Sequence, residues 1–269
     1  MKSTTPLQVH LEGVGFYGPG LSGWPQTAEV LAGRAALTLA PLQLPPAEAL
    51  PAAERRRAGT AIKLAFATGF EAIRQAGADP ATLRTVFTSS AADCDNCNTI
   101  LETLASSDRA VSPTRFHNSV HNAPSGYWSI ATACRAPSTS LCAYDGSFAA
   151  GLLEAATQVL SSGESCLLLA YDTPYPQPLA SLRPITHPLG LALLLSPRPG
   201  PATLATLGLS LTRQAASRMS DPALEQLRRD TPAARSLPLL QRLARAEAGR
   251  VRLDYLDGMS LDAEIQPAA

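Results

Sequence analysis

Apolar residues in this chain recur in two distinct patterns. Residues 165–171 and 189–195 are almost continuously apolar, as in strands buried on both faces of a sheet. Residues 53–75 instead carry Ala61, Leu64, Ala65, Phe70 and Ile73 at helical spacing. That spacing predicts one long amphipathic helix, stopped by Gly77-Ala78-Asp79-Pro80. Residues 7–17 alternate and end in Gly18-Pro19-Gly20, a strand followed by a tight loop. Residues 33–52, rich in Ala, Leu and Pro, read as an irregular excursion. A short strand is expected at 84–89, running into a Ser/Asp/Asn loop, and a helix at 99–105. A helix at 118–130, entered through Pro113, precedes a buried strand at 138–143. A small-residue helix at 146–160 is closed by Gly163 as its C-terminal cap. The order β-α-β-α-α-β-α-β-β predicts an α/β layered unit with one mixed sheet flanked by helices.

Pro197-Arg198-Pro199-Gly200-Pro201 reads as a boundary. The expectation is a main unit over 1–199 and, over 200–269, a short α+β C-terminal extension packed on the same domain. The extension should hold a strand at 203–211, a helix at 237–247 and a strand pair around Asp257-Gly258.

Composition narrows the function classes. The 269 residues are 45% hydrophobic, with 22 basic and 22 acidic side chains. A zero net charge argues against a nucleic-acid partner held by bulk charge. No apolar run is long enough for a membrane span, and MKSTTPLQVH lacks the pattern of a signal peptide. Five cysteines, an odd number, fit a reducing compartment, so a cytoplasmic location is expected. No cofactor is implied.

Several residues invite chemistry and also have plain readings. Cys94 and Cys97 form a C-x-x-C in what reads as a polar loop, without the second pair a zinc site needs. His117 and His121 stand one helical turn apart and would need two further ligands to hold a metal; lining an interface or packing is the simpler use. Cys142 in its strand reads as a small apolar filler. Asp145, before Gly146-Ser147-Phe148, reads as a helix N-cap. Ser89, Ser90 and Gly190 are expected to shape loops, and Asn122 and Gly126 to allow close helix packing.

The stretch 112–151 carries the most specific pattern. Ser112-Pro113 opens it, Asn122 and Gly126 lead an apolar helix, and Arg135-Ala136-Pro137-Ser138 forms a turn feeding a strand and then a helix. This resembles the run around the nucleophile of β-ketoacyl synthases. So do Arg55-Arg56-Arg57 before an Ala-rich helix ending in Ala76-Gly77, the strand–loop from Thr85 to Ser90, and Pro188 to Leu193. The resemblance is to the N-terminal half of thiolase-fold condensing enzymes, over roughly residues 5–200. The wording RFHNSVHNAPSGYWS, and APSTSL followed by SFAAGLLEA, is most similar to the chain-length factors of aryl polyene clusters.

That resemblance implies a layered thiolase-like fold with Asp145 at the position of the catalytic cysteine. Thr132-Ala133-Cys134 then falls before the Pro turn and is a decoy. The family's G-T-x-T-x-x-G-D-like and N-x-x-x-G-H-like segments do not occur after Pro201, and no His follows His187. A condensing enzyme needs a thiolate nucleophile, which a carboxylate cannot replace. The implied role is a non-catalytic chain-length-factor-like subunit in type II polyketide or fatty-acid-like biosynthesis. It would pair with a full-length ketosynthase and shape its acyl tunnel, meeting acyl carrier protein only indirectly. Phe116, His117, His121, Asn122, Ser138, Thr139, Ser140, Leu141, Cys142 and Tyr144 would lie at the interface and tunnel. An unpaired strand at 138–143 would favour obligate pairing. Two alternatives stay open: a condensing or acyl-transfer enzyme using Cys134 or Cys142, and an acyl-carrier docking scaffold.

Overall fold

A computed structural model describes residues 6–268. The strands are β1 (Leu7–Gly18), β2 (Leu21–Ser22), β3 (Arg84–Thr88), β4 (Ser138–Leu141), β5 (Cys166–Asp172), β6 (Leu189–Ser196), β7 (Ala205–Thr212), β8 (Gly249–Leu256) and β9 (Met259–Pro267). The helices are α1 (Trp24–Leu31), α2 (Ala52–Arg57), α3 (Thr60–Ala76), α4 (Cys94–Ala105), α5 (Pro113–His117), α6 (Ala123–Thr132), α7 (Ser147–Ser162), α8 (Leu179–Leu182), α9 (Pro222–Asp230) and α10 (Leu237–Ala244). All nine strands join one mixed sheet in the order β4-β3-β5-β6-β1-β7-β9-β8, with β2 on β1. The expected α/β layered class, a mixed sheet flanked by helices, is what the chain adopts.

The two continuous apolar runs become β5 and β6, which are buried at every position. Alternation divides their side chains between two cores. Leu167, Leu169, Ala192 and Leu194 join α3 and α6 through Phe66, Tyr127 and Trp128. Cys166, Leu168, Leu191, Leu193 and Leu195 join α7, α9 and α10 through Phe148, Leu152, Leu224 and Leu240. At about 25 cal/mol per Å² of apolar area, these two cores supply most of the driving force for folding.

Several local expectations are corrected. The helix expected at 53–75 is two helices, because Ala58 leaves the helical region (ψ 118°) and Gly59 is extended. A Cβ at Gly59 would lie 2.6 Å from Asp93 Oδ2, so a side chain there would shift that carboxylate. The helix expected at 118–130 starts only at Ala123, so His117 closes α5 while His121 lies in the turn before α6. The two histidines do not share a helix face. Cys94 and Cys97 are in the first turn of α4 rather than in a loop, with Asp93 capping that turn. Gly190 sits inside β6 and packs against Leu64, so it shapes no loop. Gly126 meets nothing within 4 Å of an added Cβ and therefore serves no close packing. Helices α1 and α9 had no counterpart in the sequence reading.

Strand β4 is not buried: its four residues are exposed or half-buried, and it forms one edge of the sheet. It runs parallel to β3, whose amides at Thr85 and Ser89 donate to the carbonyls of Pro137 and Leu141. Backbone groups alternate sides along a strand, so those of Ser138, Ser140 and Cys142 face away from the sheet.

Candidate functional site

The junction between β4 and α7 holds the residues that the sequence pattern singled out. Tyr144 adopts a left-handed conformation (φ 52°) and opens a single 3-10 turn, Tyr144–Gly146, that leads into α7. Gly146 lets this turn press on the neighbouring strand: an added Cβ would sit 1.9 Å from the carbonyl oxygen of Tyr255. Ser147 ties the turn together, its hydroxyl donating to Tyr144 O at 2.7 Å and accepting from the amide of Ala143 at 3.0 Å.

Asp145 is not the N-cap of α7; Gly146 holds that position and makes no side-chain cap. Its carboxylate instead pairs with two arginines from distant segments. Arg183, 38 residues later, donates to Oδ1, and Arg235 donates to Oδ2 at 2.9 Å. Arg235 also meets Asp254 at 3.0 Å, Arg228 donates to Asp254 at 2.6 Å, and Arg228 forks onto Glu225 at 2.8 Å. Three guanidinium groups and three carboxylates thus alternate along one neutral ladder. Hydrogen bonding to Arg228 holds the Glu225 carboxyl down at about 2, well below the usual carboxylate range.

A second branch leaves Arg183. Its guanidinium carbon lies 3.5 Å above the Tyr144 ring centroid, and its Nη1 donates to Tyr175 Oη at 3.1 Å. Tyr175 and Ser90 share a hydrogen bond at 3.1 Å, and the Ser90 hydroxyl donates to Asp172 at 2.6 Å. Asp172 is fully buried and also accepts from the backbone amides of Ser90 and Ala233, each at 2.8 Å. Burial pushes its carboxyl up to about 6, against the pull of those donors and of Arg183. Ser89 and Ser90 therefore serve a buried carboxylate rather than simply shaping a loop. A cavity of about 640 Å³ opens beside the ladder, lined in part by Tyr144, Asp145, Arg213, Arg235, Asp254 and Tyr255.

The thiols differ in burial and in distance from this junction. Cys134 is buried before β4, its Sγ donating to Leu83 O at 3.3 Å at the opposite end of the parallel strands from Asp145. Burial raises the thiols of Cys94 and Cys166, to about 11 and about 12, and thereby keeps them protonated and unreactive at neutral pH. Cys142 is exposed, and its Sγ donates to Ser90 O at 3.0 Å. Among the described residues, no group of three His, Cys, Asp or Glu side chains comes together to hold a metal. No described helix is long and apolar enough to cross a membrane.

The remaining sequence-predicted residues differ in exposure. Phe116 and Tyr144 are 70% and 61% exposed. His117 and Asn122 are exposed and His121 half-buried, its Nε2 without a partner. Thr139 Oγ1 accepts from Gln158, and the Ser140 hydroxyl is buried without a partner. Arg183, Arg235, Asp254 and Asp172 escaped the sequence reading, because their partners lie tens of residues away and no local motif marks them.

A family model described as the β-ketoacyl synthase N-terminal domain matches residues 24–255, past residue 200 where the resemblance read from the sequence stopped. No curated protein matches this chain. Among solved structures, a chain of the ketosynthase ApeO in complex with its chain length factor ApeC from Xenorhabdus doucetiae is similar at 22% identity and TM-score 0.72. That match covers 97% of this chain and all of the other. A chain of the ishigamide ketosynthase/chain length factor is similar at 14% identity and TM-score 0.71, covering 99% of this chain and 100% of that one. The ketosynthase from module 1 of the bacillaene synthase of Bacillus amyloliquefaciens matches at 12% identity and TM-score 0.58, and only 48% of it is covered. These likenesses show a thiolase-like ketosynthase fold.

Proposed function

Because this chain belongs to the β-ketoacyl synthase N-terminal-domain family, we propose that it is a non-catalytic, chain-length-factor-like subunit. In this reading it works in the cytoplasm beside a full-length ketosynthase of an aryl polyene or related type II pathway. It contributes a wall of the partner's acyl tunnel and meets the acyl carrier protein only through that complex. The observation that carries the proposal is the carboxylate of Asp145, held between Arg183 and Arg235 at the start of α7. A nucleophile there would need a free thiolate at the helix start. The residue present is a weak nucleophile whose charge is already matched by two guanidinium groups.

Two further features support the partner. The outward backbone groups of β4 are an unpaired sheet edge, the kind of surface that another strand completes. Exposed Phe116 and Tyr144 offer apolar area suited to a partner or to an acyl chain. In this reading the ketosynthase-like unit ends at 199, and the extension after it supplies Arg235 and Asp254 to the ionic ladder around Asp145.

Co-expression with the ketosynthase from the same gene neighbourhood, followed by size-exclusion chromatography and product analysis, tests the proposal. One joint peak is expected, with products that change in length in the Tyr144→Trp or Phe116→Trp variant. Two separate peaks with undiminished ketosynthase activity would overturn it. Cys142 is the one exposed thiol near the junction, so acyl-carrier loading and intact-mass measurement test the enzymatic alternative. A thioester adduct lost in the Cys142→Ala variant would favour that alternative.

A further inference from the structure

A second cavity, of about 720 Å³, lies where the starts of α3 and α4 and the loop before α5 come together. Arg56, Arg57 and Arg115 line it, together with the hydroxyl-bearing Thr60, Thr99, Ser112 and Thr114. Arg57 makes a single 3.1 Å contact with Glu54. Among the described residues, Arg56 and Arg115 have no carboxylate within ion-pair distance. Two guanidinium groups without an ion-pair partner beside one concave pocket leave charged donors free for an anion.

The segments bearing two of these arginines are fixed from behind. The buried Asn118 side chain donates to Arg57 O at 2.9 Å, and its own Oδ1 accepts from Tyr127 Oη at 3.0 Å. Buried Asn96 donates to Arg115 O at 2.8 Å. Gly59 supplies no side-chain cap to α3, so first-turn amides of this 17-residue helix lack a side-chain acceptor at the cavity wall. Two carboxylates oppose this field. Asp93 is largely committed to capping α4, accepting from Asn96 N at 3.0 Å, and Asp95 lies in the first turn of the same helix. Glu54 offsets Arg57, so the guanidinium groups of Arg56 and Arg115 are the ones left without an ion-pair partner beside the cavity.

We propose that this cavity binds the phosphate group of a small molecule. The donors lining it, the unpaired guanidinium forks of Arg56 and Arg115 with the hydroxyls of Thr60, Ser112 and Thr114, exceed what the two oxygens of a carboxylate can accept. A phosphate presents more oxygens and more charge. Concavity favours a small ligand over a flat acidic protein surface, since pockets of roughly 300–1,000 Å³ are the size that encloses one. The proposal does not depend on the role assigned to Asp145.

Isothermal titration calorimetry on the full chain, with inorganic phosphate, phenyl phosphate and neutral benzyl alcohol, tests it. Saturable binding of the phosphates but not the alcohol is expected, weakening as salt is raised. The Arg56→Gln/Arg115→Gln variant should lower affinity by about tenfold or more, while Arg34→Gln, in the bend after α1, leaves it unchanged. Tighter binding of phenyl phosphate would identify an ester as the ligand, and equal binding would identify free phosphate. No saturable binding of either, binding indifferent to the double substitution, or retention only of an acidic protein would each overturn the proposal.

Discussion

The Asp145 carboxylate accepts a 2.9 Å hydrogen bond from Arg235, ninety residues further along the chain. This contact joins the turn before α7 to the segment between α9 and α10, and Arg183 joins the same carboxylate from a third segment. A carboxylate so held cross-braces the fold at the start of α7.

Removing the brace should therefore be felt as lost stability. Asp145→Ala removes the carboxylate shared by two largely buried guanidinium groups and is expected to cost about 1–3 kcal/mol, seen as a lower denaturant midpoint at unchanged slope. Asp145→Asn keeps acceptors without the charge and should cost less. A double-mutant cycle with Arg235→Met should give a coupling of at least about 0.5 kcal/mol. Additive effects would show that the two residues stabilise the fold independently.

Asp172 makes stability depend on pH in a defined direction. Its carboxyl is raised by burial from 3.8 to about 6 in the folded protein. The folded state thus holds the proton more tightly, and the contribution is complete below the unfolded value. It is lost as pH rises from about 4 through about 6, with a magnitude of about 3 kcal/mol. Asp172→Asn should abolish that slope in denaturant titrations across this window. The variant is also expected to be less stable throughout, because its amide nitrogen must face the N–H of Ser90 or Ala233.

Gly146 has an ordinary φ of −86°, so only space forbids a side chain there. Gly146→Ala would bring a methyl to 1.9 Å from the carbonyl oxygen of Tyr255 and push the turn off β8. A loss of about 1–3 kcal/mol is expected. Arg183 and Arg235 should lose their hold on Asp145 at the same time, so Gly146→Ala and Asp145→Ala should be less than additive. Thermal melts of the single and double variants measure this.

The β4 edge can be tested without disturbing the sheet. The backbone N–H of Ser140 points away from β3, so Ser140→Pro removes an outward donor while the ladder to β3 persists. The melting temperature should fall only slightly, whereas co-elution with a ketosynthase partner should be lost. A joint peak that survives this substitution would place the interface elsewhere.

Binary patterning alone determined the mixed α/β sheet, because strands buried on both faces must read as continuous apolar runs and a core-facing helix must repeat every third or fourth residue. Leu167 to Leu169, Leu191 to Leu195 and the α3 residues Leu64, Ala65 and Ile73 announce their environments locally. The same run of local signals located Asp145 at the β4–α7 junction. Helix α9 was not legible: its short apolar face, Leu224 and Leu227, is set among charged residues, two of which find partners only after folding. Its Arg228, and Arg183, Arg235, Asp172 and Asp254 with it, take their roles from neighbours 19 to 90 residues away. Charge pairing has no sequence period, so only the tertiary structure could turn an apparent helix cap into the centre of an ionic ladder.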